Sequence, residues 1–185
     1  LGLNNLPLKT LLNNAQLDLT LQRLAHQLVE NHGDFRNTVI IGIQPRGVFL
    51  SDRIVKMVKE ITKKKEIAYG KLDITFYRDD VHSSSDIQIP SVTDIPFSVE
   101  KKNVILVDDV LYTGRTIRSA MDALIDFGRP ERVELLVLVD RRFSRELPIH
   151  PDYTGYTVDT ILTQKVKVNW KEQDGKDEVV LLTKS

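Results

Sequence analysis

The chain has 185 residues, 41% hydrophobic and 28% charged, which is material for one buried core and excludes a disordered or fibrous chain. Twenty-six basic residues balance 26 acidic ones, so any nucleic-acid surface must be a local patch. There is no cysteine and no apolar stretch of membrane-spanning length, which excludes a disulfide scaffold and a thiolate metal site and fits a cytoplasmic protein.

In chain order, Leu17 to Val29 has apolar residues at 17, 21, 24, 25 and 28, the stripe of a helix. Val39 to Ile43 reads as a buried strand and Val48 to Val58 as the helix after it. Ala68 to Tyr77 alternates into a second strand. Asp79 to Phe97 is polar, holds Ser83-Ser84-Ser85 and two prolines, and has the length of a lid or a disordered loop. Val104 to Val107 is an apolar run suited to a central parallel strand. Ile117, Ala120, Met121, Leu124, Ile125 and Phe127 then trace an amphipathic helix. Arg132 to Val139 is another strand, and Arg141 to Thr157 reads as irregular. Ile161 to Trp170 and Glu178 to Thr183 flank Gln173-Asp174-Gly175-Lys176 as a terminal hairpin. Neither a repeat nor a linker interrupts the chain, so we expect a single domain over 1–185. Strand–helix alternation predicts a doubly wound, mainly parallel α/β sheet, with ligands beyond the carboxyl ends of its strands.

The densest chemistry is Val107-Asp108-Asp109-Val110-Leu111-Tyr112-Thr113-Gly114-Arg115-Thr116. A buried strand is expected to end in two carboxylates, and a short turn delivers Thr-Gly-Arg-Thr to a helix start. Free N–H groups and a partial positive charge there favour phosphate. Gly114 allows a left-handed backbone, and Thr113 and Thr116 add hydroxyl donors. The carboxylates suit ribose hydroxyls and Mg²⁺. A solvated turn is the plain alternative, and the four residues that follow argue against it. The histidines at 26, 32, 82 and 150 have no ligand spacing, so no metal site made by protein alone is expected.

This stretch resembles the phosphoribosyl pyrophosphate (PRPP) signature of the type I phosphoribosyltransferases. Four further segments are similar to one branch: Ile41 to Gly47, Asp73 to Asp80, Met121 to Pro130, and Val139-Asp140-Arg141 with Arg145 to Ile149. Together they resemble the bifunctional pyrimidine operon attenuator / uracil phosphoribosyltransferase family, PyrR. The resemblance implies a type I phosphoribosyltransferase fold with a flexible lid (about 78–98) and a small hood (about 141–160, with the C-terminal hairpin). It assigns Asp108 and Asp109 to the ribose hydroxyls, with Asp109 stabilising the developing sugar cation, and Thr113 to Thr116 to the 5′-phosphate. The whole stretch Asp108 to Thr116, with Pro45, Arg46 and Gly47, is the PRPP site it implies. Arg46 and Arg78 fall to the leaving diphosphate, and a cis peptide is expected between Pro45 and Arg46. Uracil is expected at backbone groups of Val139, Asp140 and Arg141, packed by Val158. Mg²⁺ is expected to enter with PRPP, near Asp108 and Asp109.

Certain residues depart from the family pattern. Tyr112 stands where purine-salvage relatives often have the Asp that approaches the base, which disfavours a 6-oxopurine. Arg142-Phe143-Ser144 is one residue longer than the usual hood segment, and Val158-Asp159 replaces a common Ile-Pro. RNA-binding members use a basic concave face, to which Arg23, His26 and Arg145 correspond here. Gln22, His150 and Tyr156 replace Thr, Arg and Lys, so a solvated face is an equal reading. The expected partners are PRPP, uracil, UMP, a leader mRNA and a second copy of the chain in a homodimer or larger homo-oligomer. A UMP-sensing RNA regulator with secondary catalysis, and a phosphoribosyltransferase for another base, stay open as alternatives.

Overall fold

The computed structural model describes residues 7–78, 90–161 and 163–183. Five strands form a parallel sheet in the order β3-β2-β4-β5-β6, where β2 is Thr38–Ile43, β3 Tyr69–Leu72, β4 Asn103–Leu111, β5 Arg132–Arg142 and β6 Tyr153–Asp159. Successive side chains point to opposite faces, so an unbroken apolar run must be covered on both. Ile40, Ile105, Val107, Leu136 and Leu138 pack with α1 (Asn14–His32) and α2 (Gly47–Thr62). Val39, Ile41, Val104, Leu106, Leu135 and Val137 pack with α3 (Arg115–Leu124). A reciprocal capping box between Asn13 and Gln16 fixes the start of α1. Among the described residues no helix is long and apolar enough to cross a membrane.

Several boundaries differ from those expected. The strand expected over Ala68 to Tyr77 stops at Leu72, because the Asp73 carboxylate accepts from Thr75 N (2.9 Å) and Thr75 Oγ1 (2.6 Å) and turns the chain into a 3-10 helix at Thr75–Tyr77. The third helix ends at Leu124 and tightens into a 3-10 turn before Gly128, leaving Met121 and Ile125 exposed. The stretch read as irregular, Arg141 to Thr157, holds most of β6. Tyr153 anchors that strand from beneath, donating to Glu134 at 2.8 Å beside His32. Gly155 lets β6 approach, since a Cβ there would lie 2.5 Å from the Leu138 carbonyl. Residues 79–89, the greater part of the expected lid, lie outside the described residues. Ile95 and Phe97 pack against the core.

The C-terminal pair, β7 (Gln164–Asn169) and β8 (Glu178–Thr183), is joined by β1 (Pro7–Leu12) in a second, antiparallel sheet of order β1-β8-β7. One helical turn, α4 (Lys171–Asp174), replaces a simple hairpin turn. Arg53 of α2 clamps this sheet, lying 4.8 Å from the Trp170 ring centre and pairing with Glu172 at 2.7 Å and Asp177 at 2.8 Å.

Three carboxyls here titrate below their ordinary range. Burial pushes Asp177 upward, but hydrogen bonds from Arg53 and the Lys171 amide outweigh it. Burial of Asp174 is likewise outweighed by the Trp170 amide, Lys167 and Arg46. Glu178 is lowered first by its hydrogen bond from Lys176. Depressed folded values give stability that is complete above the unfolded values near 3.8 and 4.5 and is lost as pH falls through the folded ones. Acidification below about pH 4 is therefore expected to loosen β7 and β8 before β4 and β5. Hydrogen exchange at pH 3 against pH 7 checks this; uniform loosening of both sheets would contradict it.

Candidate active site

Asp108 and Asp109 lie within β4 rather than beyond it, since the ladder with β5 continues to Leu111–Asp140. They are 9% and 7% exposed, at the carboxyl end of the central strand. Asp108 Oδ1 accepts from the Asp109 amide at 2.9 Å. Burial and the neighbouring Asp109 charge push the Asp108 carboxyl well up; burial also raises Asp109, against the pull of Arg46. Two crowded carboxylates with few solvating partners favour a ligand that brings hydroxyl donors or a cation.

Two cavities adjoin over this pair. One, of about 250 Å³, is walled by Thr113, Gly114, Arg115 and Thr116 as the chain turns from β4 into α3. Gly114 has φ +94, and a Cβ there would press to 3.2 Å on Ile149. The amides of the first helical turn have no partners within the helix and open toward an anion. The second cavity, of about 400 Å³, is bounded by Gln44, Pro45, Arg46, Asp73 and Asp109. Arg78, Asp108, Val110 and Thr116 belong to both walls. The paired cavities thus run from a helix start at one end to the Arg46 guanidinium at the other.

The turn Gln44-Pro45-Arg46-Gly47 joins β2 to α2. Its cis peptide is Gln44–Pro45 and not the expected Pro45–Arg46. A Gln–Pro amide favours trans by only about 0.5–1 kcal/mol, whereas Pro45–Arg46 is an ordinary amide that favours it by about 2.5–4 kcal/mol. Gly47 lets α2 reach β4, because a Cβ there would meet the Val107 carbonyl at 2.5 Å and Asp108 Cα at 3.0 Å. Arg46 Nε donates to Asp109 Oδ2 at 3.1 Å, and its other nitrogens reach Gln173 Oε1 (3.1 Å) and the Val168 carbonyl, with Asp174 at 3.7 Å. The guanidinium expected on a leaving group is thus seated on the cavity wall, against Asp109.

Residues 7–173 match the phosphoribosyl transferase domain family. Bifunctional protein PyrR of Elusimicrobium minutum (strain Pei191) is 46% identical over 177 residues, covering 96% of this chain and 98% of that protein. Bifunctional protein PyrR of Bacillus cereus (strain AH820) is 45% identical over 175 residues, covering 94% and 96%. The chain belongs to the PyrR family of phosphoribosyltransferases. Its fold extends further: a hypoxanthine phosphoribosyltransferase from Staphylococcus aureus superimposes with a TM-score of 0.70 at 18% identity, covering 96% of this chain and 92% of that one.

In this PyrR-family chain β5 and β6 continue the sheet beyond β4, and their carboxyl ends lie outside the lining of both cavities. Val139 is fully buried and is paired on both edges, with Val110 and Tyr156, so neither its side chain nor its backbone faces a cavity, contrary to the expected contact with a base. Arg141 is 5% exposed, donates to Thr160 Oγ1 (3.0 Å) and the Gln164 carbonyl (2.9 Å), and stacks on Tyr112 with 4.0 Å to the ring centre. Val158 is its register partner in β6. Asp140 pairs with Arg145, which also donates to the Tyr112 carbonyl at 2.6 Å. The Glu146 and Leu147 amides meet the Thr113 carbonyl at 3.0 and 3.2 Å, so this excursion braces the turn from β4 into α3 from outside.

Of the cations expected on an RNA face, Arg23 and His26 are both exposed on α1, one turn apart, whereas Arg145 is half-buried. Arg145 is drawn into the brace just described, and Arg23 donates to the Gly155 carbonyl at 2.6 Å and to that of Thr154 at 3.3 Å. Sequence reasoning missed Asp73 and Gln173. Asp73 Oδ2 accepts from Ser91 N at 2.6 Å, holding the chain on both sides of residues 79–89 at the cavity mouth. Its signal is the Asp-x-Thr pattern of a side-chain-capped turn. Gln173 has no sequence signal, because only the folding of the second sheet brings it to Arg46.

Proposed function

We propose that the chain is a uracil phosphoribosyltransferase, converting uracil and PRPP to UMP and diphosphate. The observation that carries this is the meeting of two cavities over Asp108 and Asp109, one at a helix start and one at the Arg46 turn. Thr113 to Thr116 hold the 5′-phosphate, the two carboxylates hold the ribose hydroxyls, and the diphosphate lies toward Arg46 and Arg78. As the C1′–oxygen bond to diphosphate breaks, positive charge grows at C1′ beside Asp109. Uracil N1 forms its bond from the opposite face and gives up its proton. Positioning and preorganised charge carry the rate, and no bond to the protein is needed. Uracil sits beyond the end of β5, beside Asp140 and Arg141, and is packed by Val158.

Among the described residues no group of three or more candidate ligands can hold a metal by itself. A buried pair of carboxylates whose charges oppose each other fits a divalent ion that brings most of its ligands with it. Mg²⁺ carried by PRPP would be held at Asp108 and Asp109 and would neutralise charge on the departing diphosphate. Rates with a panel of uracil, orotate, hypoxanthine and guanine test the assignment. UMP formation at least tenfold faster than any other product is expected; a preferred purine would refute it.

RNA attenuation belongs to this proposal only as a weak activity. Arg145 is paired with Asp140, His150 and Tyr156 stand where the family pattern has Arg and Lys, and each lost phosphate contact lowers the salt slope by about one unit. Binding to a pyrimidine-operon leader is expected to be weak at physiological salt. Nanomolar, UMP-stimulated binding in a salt series would overturn that expectation.

A further inference from the structure

The second sheet reaches the reaction centre at one point. Every nitrogen of the Arg46 guanidinium is engaged: Nε on Asp109, one terminal nitrogen on Gln173, the other on the Val168 carbonyl and near Asp174. Three of those four acceptors belong to β7 and α4. The residues themselves are differently placed. Asp174 is occupied locally, accepting from the Trp170 amide at 2.9 Å and facing Lys167 at 3.6 Å, so it also holds its own turn. Gln173 is exposed, and its side chain makes no other described contact than Arg46. An exposed amide on a surface turn has no packing duty, yet this one aims a cation at a buried catalytic carboxylate.

From this contact we infer that Gln173 is a positioning residue for phosphoribosyl transfer, holding Arg46 in line with Asp109 and coupling the C-terminal sheet to the PRPP site. The inference rests on the PRPP reading of Asp108 and Asp109. A long flexible cation must otherwise be ordered anew in each transition state, and a fixed partner removes that step. Its absence is felt in turnover more than in substrate capture.

The test joins kinetics to a probe of Arg46 itself. Gln173→Ala is expected to lower kcat about tenfold with KM for PRPP within about twofold, and Gln173→Glu, which keeps the acceptor, to recover most of it. In an Arg46→Lys background Gln173→Ala should cost nothing further, because its effect passes through the guanidinium. The Arg46 Nε–H resonance in ¹⁵N NMR should be sharp and slowly exchanging in the unaltered chain and lost in Gln173→Ala. An unchanged resonance, or an equal loss of kcat in both backgrounds, would overturn the inference. A chain that transfers phosphoribose to no base would refute the functional reading instead, and the resonance then decides the Gln173–Arg46 coupling by itself.

Discussion

Asp109→Asn is expected to keep the fold and to lower uracil transfer by about 10²–10³, the usual cost of removing a preorganised charge from where charge develops. The residue is 7% exposed at a strand end that faces cavity rather than core. Amide and carboxyl are nearly the same size, so packing survives. Removing one of two adjacent buried charges also relieves the repulsion that raises Asp108. Thermal unfolding should therefore show no loss of stability, even though Arg46 loses its 3.1 Å partner. Steady-state kinetics beside a melting curve separates the two effects; a folded variant with near-normal turnover contradicts the role given to Asp109.

Gly47→Ala is expected to damage both stability and catalysis. The added carbon would sit 2.5 Å from the Val107 carbonyl and 3.0 Å from Asp108 Cα, and both are backbone atoms of the central strand. Neither can turn aside as the tip of a side chain can, so α2 must slide away from β4. Overpacking of this kind costs about 1–3 kcal/mol. The slide carries Arg46 with it and widens the cavity over Asp108. Urea unfolding should show a lower midpoint, and the residual folded protein a lower kcat. An unchanged midpoint would mean that α2 and β4 are further apart than 2.5 Å implies.

The parts of the fold that rest on local pattern were legible in the sequence. The runs Val39–Ile43 and Val104–Val107 are apolar without interruption because both of their faces are covered. The phosphate turn was legible because glycine, threonines and a helix stripe fall in one order. Features that depend on distant partners were not. The edge strand Tyr153–Asp159 is largely half-buried or exposed and lacks an apolar run, so only β5 defines it. Strand β1 comes from the opposite end of the chain to β8. Arg145 meets Asp140 only five residues away, but across a turn whose conformation the sequence does not reveal. Arg46 lines the second cavity, but its seat against Gln173 and Val168 depends on a sheet formed more than a hundred residues later.

The central claim is that the two cavities meeting over Asp108 and Asp109 perform phosphoribosyl transfer to uracil. A single-turnover experiment tests it most directly: protein preloaded with Mg²⁺ and PRPP is mixed with labelled uracil, and both products are counted. One UMP and one diphosphate per site are predicted, with the burst abolished in Asp109→Asn. Diphosphate release without UMP, or a nucleotide burst with hypoxanthine and none with uracil, would contradict the account.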